Sequence, residues 1–402
     1  MNRTALKAIP AGFCALGALI APVTQALEPT NLQLGPLYFT PTLDLETYYT
    51  DNLWLTDSNE KDTWVGVITP RLQTWLQNGV NTYSLILELE DSTYENSSDD
   101  DFTDYTAKFD LHHEFNAKNV VNAMAEYYDG HEDRGTGLIE GDLSFVTDKP
   151  VEYTRTSAGG DYTYGSREGR GRVMLAARTS EYEYDNYREF TRYRDYTAST
   201  FGGTFFWKVA PRTDALIEAT ATNNDYDEDD PADAAGTLTS DEYNYLVGVE
   251  WDATARTSGH VKVGMYDRQY DSSARQDDDG FTWEVGVSWL PRSYSEFDLV
   301  TRRFTQETNG LGNAINTEEY ALAWNHNWNQ RAATNVRVRY YTEDYQGASR
   351  EDDNYVAEAR YDYEYRRWLD LGAGYRYEDR DSDIDSFSFT ANIVFFEAKL
   401  SL

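Results

Sequence analysis

Cysteine is almost absent from this sequence of 402 residues, in which Cys14 is the only one. It lies in an N-terminal stretch where two cations precede the apolar run 8–21, a pattern typical of a secretory signal peptide. We therefore expect residues 1–26 to be a cleaved signal. Phe13 stands where a lipoprotein signal needs a small residue, so we expect no lipid anchor. The mature chain must then be stabilised by size, strand pairing or a membrane rather than by disulfides.

Long apolar runs and positive charge are also scarce. No run of 18 apolar residues follows the signal, so the sequence predicts no membrane-spanning helix. Lys and Arg number 35 against 70 Asp and Glu, a formal net charge of -35. Without residues 1–26, which hold two cations and no acid, the charge becomes about -37. So negative a chain is not expected to bind nucleic acid.

Aromatic residues, by contrast, are abundant. They make up 15% of the chain, with 32 Tyr and 10 Trp, although the mean hydropathy is only -0.70. Tyr and Trp favour surfaces that are apolar on one side and wet on the other, including the two membrane interfaces.

From Thr42 onward, apolar and polar residues alternate with a period of two, between breaks of two kinds. The short, turn-like breaks are 77–81, 116–119, 165–169, 210–213, 253–258, 290–293, 329–332 and 365–368. The longer, acidic breaks are 95–102, 223–242, 272–280, 347–353 and 378–385. The two kinds alternate, so turns lie at one end of every hairpin and acidic loops at the other. The spacing predicts about 18 strands of roughly 12 to 15 residues.

Side-chain parity separates an apolar face from a charged one. In FTWEVGVSW, Phe281 and Trp289 share the apolar face and Glu284 lies on the other; NYVAEARYDYEYR, YSLILELE and YNYLVGVEW divide in the same way. A soluble barrel of this strand number would need an apolar interior far wider than these side chains can fill. Apolar residues facing lipid and charged residues facing a wet lumen satisfy the pattern.

The predicted fold is therefore all-β: a closed antiparallel up-and-down transmembrane barrel. We expect a short periplasmic segment at 27–41 and the barrel at 42–402, located in the cell outer membrane. The apolar ending FSFTANIVFFEAKLSL is predicted to be the last strand, pairing with the first strand near Thr42, with Val394 and Phe396 facing lipid. The terminal Leu402 departs from the aromatic residue with which such barrels usually end.

Residues 48–115 resemble a family of outer-membrane beta-barrel porins often found in proteobacterial gene sets for capsule or exopolysaccharide production. The matching features are Tyr49-x-Asp51-Asn52, the acidic loop 57–62, Ile68-x-Pro70 before a strand and the Asp-rich loop leading to Tyr105. YYDGHEDRGTG at 127–137 is similar too, and the resemblance runs over nearly all of the mature chain. It implies an outer-membrane barrel and, for function, passage of a secreted polysaccharide.

The predicted lumen face carries charges of both signs. The pore-lining candidates are Arg172, Arg178, Lys262, Arg268, Arg302, Arg337, Arg339, Arg360, Arg376, Glu88, Glu250 and Glu358. One interpretation is a conduit whose arginines bind anionic or sugar-like solutes. The other is cross-strand ion pairing that keeps a wet lumen structured. The two interpretations lead to different selectivities.

Other chemistry is weakly indicated. The loop 225–233 has Asp residues at EF-hand-like spacing but lacks the turn Gly and the final Glu, so we expect solvated loops and no metal site, with weak binding of Ca²⁺ or Mg²⁺ by the acidic loops as the alternative. His131 beside two acids could suit a hydrolase, but no nucleophile elbow, zinc-binding helix or phosphate loop is present, and no enzyme activity or cofactor is expected.

The sequence thus favours a pore for passive diffusion or export of polar or anionic solutes. The alternative is a non-conducting barrel that acts as a scaffold or adhesion surface of a polysaccharide export system, for which 136–154 is the best plug candidate. Expected partners are outer-membrane lipid and lipopolysaccharide, the barrel assembly machinery and, through the resemblance, polysaccharide export components.

Overall fold

The computed structural model describes residues 32–254 and 256–401. The predicted signal peptide 1–26 and Leu402 lie outside the described residues. The strands are β1 (Leu32–Leu34), β2 (Leu37–Thr50), β3 (Thr63–Asn78), β4 (Asn81–Tyr94), β5 (Phe102–Asn116), β6 (Asn119–Glu132), β7 (Val151–Tyr164), β8 (Gly171–Tyr184), β9 (Tyr196–Ala210), β10 (Thr213–Tyr226), β11 (Ser240–Thr254), β12 (Thr257–Tyr270), β13 (Asp278–Arg292), β14 (Ser295–Glu307), β15 (Ala314–Asn327), β16 (Ala332–Gln346), β17 (Glu351–Arg366), β18 (Leu369–Ser382) and β19 (Phe389–Ser401).

Helical structure is confined to the loops. One turn of α-helix is formed by Arg188–Thr191, and the short 3-10 turns are Ser98–Asp100, Gly137–Ile139, Gly141–Phe145, Arg192–Arg194 and Asp385–Phe387. Across residues 32–254 and 256–401, none of the helices has the length and apolar content that a membrane span requires.

The sheet closes on itself. Each strand from β2 to β19 pairs antiparallel with its sequence neighbours, and β19 pairs with β2 from Ile393↔Thr50 to Ser401↔Thr42. Within the described residues the barrel therefore has eighteen strands, with β1 as an extra short strand on β2. This confirms the predicted fold class, the approximate strand number and the closure at Thr42. Closure gives each strand from β2 to β19 a paired neighbour on both sides, as a lipid environment demands.

The barrel begins before its predicted boundary. Leu37 to Pro41, which the sequence placed in the segment 27–41, already pair with β3 from Leu37↔Leu76 to Pro41↔Leu72. The alternation is weak there because Thr and Pro occupy strand positions, and Pro41 cannot donate a ladder hydrogen bond. Residues 27–31 lie outside the described part of the chain.

The two faces of the sheet differ as the parity predicted. The outward side chains in the middle of the strands are apolar and exposed, as in Val247 (54%), Val338 (46%) and Phe396 (49%). Inward neighbours on the same strands are polar, such as Asn244 on β11 and Arg337 on β16, and the inward Arg268 on β12 is fully buried. An apolar exterior around a charged interior is the arrangement that a bilayer selects.

Aromatic side chains gather on the outer face near both strand ends. Trp289, Phe297 and Trp324 stack beside the short turns, with ring centroids 5.6 and 6.2 Å apart. Tyr340 and Tyr355 pack 4.8 Å apart nearer the acidic loops. Two such belts, separated by aliphatic residues, match the interfacial girdles of outer-membrane barrels. We call the end with short turns the turn end and the end with long loops the loop end.

A small apolar cluster lies on the inner wall near the turn end. Met174, Phe206 and Leu216 contact one another across β8, β9 and β10 and are buried. The guanidinium of Arg172 covers the cluster, with its carbon 3.9 Å from the centre of the Phe206 ring. The cluster gives the wall of an otherwise polar lumen a local packed core.

Two adjacent positions on β11 test which face of the sheet contacts lipid and which faces the lumen. Val247→Lys puts a charge on the lipid side at the middle of the strand, so we expect it to destabilise the folded barrel by about 2–4 kcal/mol. Leu246→Lys, one residue away and facing the lumen opposite Gly264, is the matched control and should cost much less. Equilibrium urea unfolding in lipid vesicles measures both values. Equal losses would contradict the assignment.

Candidate functional site

The register of the strands places all twelve predicted pore-lining residues on the inward face. Arg172, Arg178, Lys262, Arg268, Arg302, Arg337, Arg339, Arg360, Arg376, Glu88, Glu250 and Glu358 each share parity with the charged face opposite the apolar exterior. Their role in lining a conducting path remains a prediction.

Most of these side chains are held in ion pairs along the wall. Lys262 lies 3.2 Å from Glu218 and 3.4 Å from Glu284, and Arg268 lies 2.6 Å from Glu307. The further pairs are Arg71 with Glu88, Arg172 with Glu250 and Asp214, Arg360 with Glu397 and Asp362, and Arg376 with Glu358 and Glu378. Ion pairing thus accounts for most of the lumen cations.

One carboxylate serves two of the predicted arginines. Glu319 accepts from Arg302 at 3.3 Å and from Arg339 at 2.8 Å, and its side chain is 8% exposed. It links β14, β15 and β16 on the inner wall. The sequence analysis did not single it out, because its importance comes from cross-strand register rather than from any local motif.

Arg178 and Arg337 differ from the other predicted lumen arginines. Among the described side chains, neither has a carboxylate within ion-pair distance. Arg337 stands opposite Glu358, whose carboxylate is taken by Arg376 at 2.8 Å, and two buried nitrogens of Arg337 have no hydrogen-bond partner. Among the described lumen arginines on the predicted list, these two guanidinium groups are therefore the ones without a carboxylate partner.

The loop 133–150 between β6 and β7 is fixed at its base. Arg134 donates to both oxygens of Asp100 at 2.5 and 2.6 Å and lies 4.6 Å from the centre of the Trp54 ring. On the returning side, the Tyr187 hydroxyl donates to Asp148 at 2.6 Å and holds the pKa of that carboxyl below its usual range. The predicted plug candidate, 136–154, falls mostly within this loop, while its last residues, 151–154, belong to β7.

The tip of this loop reaches the far wall. Glu140 accepts from Arg350 at 2.8 Å, from Arg380 at 3.0 Å and from Asn309 at 2.9 Å. Burial would lower the pKa of the Arg350 guanidinium, but the hydrogen bond to Asp352 and the nearby Glu140 raise it instead, so the cation keeps its charge. The loop therefore crosses the mouth of the barrel from β6 to the β14–β18 side.

A second element enters the mouth from that side. The β13–β14 ladder ends at Arg303, and beyond it β14 leaves the wall. Glu307 at the end of β14 accepts from Asn224 at 2.9 Å, from Tyr226 at 2.7 Å and from Arg268 at 2.6 Å. We call residues 304–316 the β14–β15 hairpin end. Its last residues are buried, with Ala314 fully so.

The sequence analysis missed this hairpin end. The usable signal is the stretch TNGLGNAIN at 308–316, which carries no charge, whereas the breaks recognised as loops are acidic. An uncharged, glycine-containing loop can be buried at low cost. Its position inside the mouth depends on contacts with distant strands, which local sequence does not specify.

His131, which the sequence raised as a hydrolase candidate, lies at the loop end of β6. His131 hydrogen-bonds Asp104 at 3.0 Å and Asp133 at 3.1 Å, and its ring centre lies 3.7 Å from that of Phe102. These contacts hold the loop end of β6 in place. In the described part of the chain, no group of three or more His, Cys, Asp or Glu side chains is arranged to hold a metal ion.

Comparison with known families decides the class of protein. The family model described as "Putative beta-barrel porin 2" matches residues 25–402. The chain belongs to this family. It is a porin-like outer-membrane β-barrel, and the family and fold indicate a channel rather than an enzyme. As such it sits among the lipid and lipopolysaccharide of the outer membrane.

The solved structures that resemble this chain share little sequence identity with it. A BenF-like porin from Pseudomonas fluorescens Pf-5 has 10% identity and a TM-score of 0.49, covering 90% of this chain and 99% of that chain. The outer membrane protein OpdK from Pseudomonas aeruginosa has 11% identity and a TM-score of 0.47, covering 90% and 99%. The copper transporter OprC has 9% identity and a TM-score of 0.48, covering 92% and 82%. A comparison with curated proteins found no match.

Removing the shared carboxylate tests the paired lumen wall. Glu319→Gln leaves Arg302 and Arg339 without their common partner, so we expect the ratio of anion to cation permeability to rise about twofold. Loss of one partner from this buried group should also cost about 3 kcal/mol of stability. Reversal potentials under a salt gradient give the permeability ratio, and urea unfolding gives the stability.

The matched control is Glu318→Gln, the adjacent residue, whose side chain faces outward and lies 3.7 Å from Arg303. It should leave ion selectivity unchanged. An equal change in selectivity for both variants would show that Glu319 does not act through the lumen.

Proposed function

We propose that the protein is a passive pore of the outer membrane for polar solutes, with the acidic loops extracellular and the turn end periplasmic. The observation that supports this most directly is the closed eighteen-strand sheet with an apolar exterior and a charged interior. Closed barrels of this strand number enclose an aqueous lumen. A wall lined with ion pairs wets readily and presents both donors and acceptors to a passing solute.

The charge arrangement bears on the solute. Because most lumen arginines already have a carboxylate partner, the wall as a whole favours small polar solutes over highly charged anions. Arg178 and Arg337 supply two local contacts for carboxylate or phosphate groups. Anionic solutes are therefore proposed to pass by these two sites. Passage of a secreted polysaccharide is supported only by the family resemblance, together with its expected export partners.

A non-conducting barrel is the second candidate, and one observation favours it. The loop 133–150 and the β14–β15 hairpin end meet across the mouth at Glu140 and Asn309. If they never part, the barrel is a scaffold or adhesion surface that displays its acidic loops. In either case, assembly by the barrel assembly machinery would use the last strand, β19.

Electrical recording from the purified full chain in a planar bilayer separates the two candidates. We expect stepwise, ohmic current increments, because a lumen wall lined with ion pairs wets readily. Heat-modified electrophoretic mobility would verify that the recorded protein is folded. A folded protein that inserts without producing current would exclude the pore and leave the scaffold.

Neutralising the two unpaired lumen cations tests the proposed anion contacts. We expect the double variant Arg178→Gln, Arg337→Gln to lower the ratio of anion to cation permeability about twofold. Arg212→Gln in the turn between β9 and β10, where the side chain is exposed and 3.9 Å from Asp252, is the control and should have no effect. Unchanged selectivity in the double variant would remove these arginines from the solute path.

A further inference from the structure

The loop 133–150 and the β14–β15 hairpin end arise on opposite sides of the barrel. In the closed order β2 to β19, β14 lies eight strand positions from β6, close to half of the eighteen-strand ring. Two elements that meet from these positions must span the mouth.

The contacts between the two elements are few. Among the described side chains, Asn309 donates to Glu140 at 2.9 Å, and a side-chain carbon added at Gly310 would lie 3.8 Å from Leu138. Each element is anchored separately at its own base, through Arg134 on one side and Glu307 on the other. The elements can therefore part without loss of either anchor.

A single carboxylate holds the tip of the loop against the far wall. Glu140 is 7% exposed and accepts from Arg350 and Arg380 as well as from Asn309. Arg350 is also paired with Asp352 at 2.5 Å, and Arg380 lies 3.8 Å from Asp352. Asp352 thus remains as a partner for both arginines when Glu140 leaves. Opening therefore leaves neither Arg350 nor Arg380 as an unpaired buried charge.

Tight packing reinforces the contact at Glu140. Gly141 has a φ of 54°, and a side-chain carbon there would lie 2.2 Å from the Ser386 carbonyl oxygen in the β18–β19 loop. Only glycine permits both this backbone conformation and this approach. The tip is therefore shaped to fit the far wall closely when it is docked.

We propose that the loop 133–150 and the β14–β15 hairpin end are the two leaves of a gate, and that Glu140 latches them in the touching, closed arrangement. This proposal rests on the proposed pore function. Release of Glu140 from Arg350, Arg380 and Asn309 lets the loop tip withdraw toward β6 and β7, which opens the mouth. Polar solutes would enter only in the released state.

Cross-linking tests whether the leaves must part. In the full chain, Leu138→Cys and Asn309→Cys place thiols on the two leaves, and the only natural cysteine is Cys14 in the predicted signal. We expect a reducible bifunctional thiol reagent to abolish most of the current in a planar bilayer and a reducing agent to restore it. The single-cysteine variants, treated in the same way, should keep their current.

The outcomes distinguish the gate from the pore. Current that persists at full size after complete cross-linking overturns the proposed gate but not the proposed pore function. Absence of current from the folded, untreated protein, and equally from the variants, overturns the pore function itself. Loss and recovery of current with the reagent supports both.

Removing the latch without cross-linking gives an independent reading. Because charge-assisted hydrogen bonds present only in the closed state are lost, Glu140→Gln should raise the ratio of open to closed dwell times on the order of tenfold. Asn309→Ala, a milder change that leaves the arginine contacts, should raise it less. Glu228→Gln, an exposed loop acid 3.5 Å from Arg192, is the control and should match the unaltered protein. Unchanged dwell times for Glu140→Gln would overturn its role as the latch.

Discussion

The rest of the structure depends on the closure of one sheet. In hydrocarbon no water is available to the backbone, so an unpaired strand edge costs several kcal/mol for each polar group. The ladder between β19 and β2, from Ile393↔Thr50 to Ser401↔Thr42, removes the last edge. Once the ring is closed, the period-two geometry of each strand sends one side chain to lipid and the next to the lumen.

Closure also explains how so acidic a chain can be stable in a membrane. The charged half of every strand is turned away from lipid, and the lumen places acids and bases on neighbouring strands within reach of one another. Glu319 between Arg302 and Arg339 is one example, and Lys262 between Glu218 and Glu284 is another. The ion pairs are consequences of register, and among the predicted lumen arginines they leave Arg178 and Arg337 without a carboxylate partner in the described part of the chain.

The parts of the structure that sequence could predict are those set by local alternation. FTWEVGVSW and the chain ending show which residues face outward, and the turns mark the strand number, because both depend only on neighbouring residues. The start of the barrel at Leu37 was harder to place, since Pro41 and flanking Thr residues blur the pattern. The twelve lumen residues were assigned to a face by parity alone, but their partners required the register between strands.

The arrangement of the loops at the mouth of the barrel could not be predicted from the sequence. A loop at 136–154 was identified as long enough to fold inward, but Glu140 gave no sign that it would reach Arg350 and Arg380, which are 210 and 240 residues away in the chain. The hairpin end at 304–316 was not recognised at all. Both positions are decided by the opposite placement of β6 and β14 in the closed ring, a property of the whole sheet rather than of any segment.

In the proposed pore, the charged inner face borders a continuous aqueous path while the adjacent outer face borders lipid. Thiol accessibility at two neighbouring positions of β9 tests it most directly: Thr200→Cys on the inner face beside Arg178, and Phe201→Cys on the outer face, where the side chain is 61% exposed. In protein reconstituted in a planar bilayer, a charged, membrane-impermeant thiol reagent should react with Thr200→Cys and reduce the current. It should neither react with Phe201→Cys nor alter its current. Reaction at position 201 but not at 200 would contradict the account.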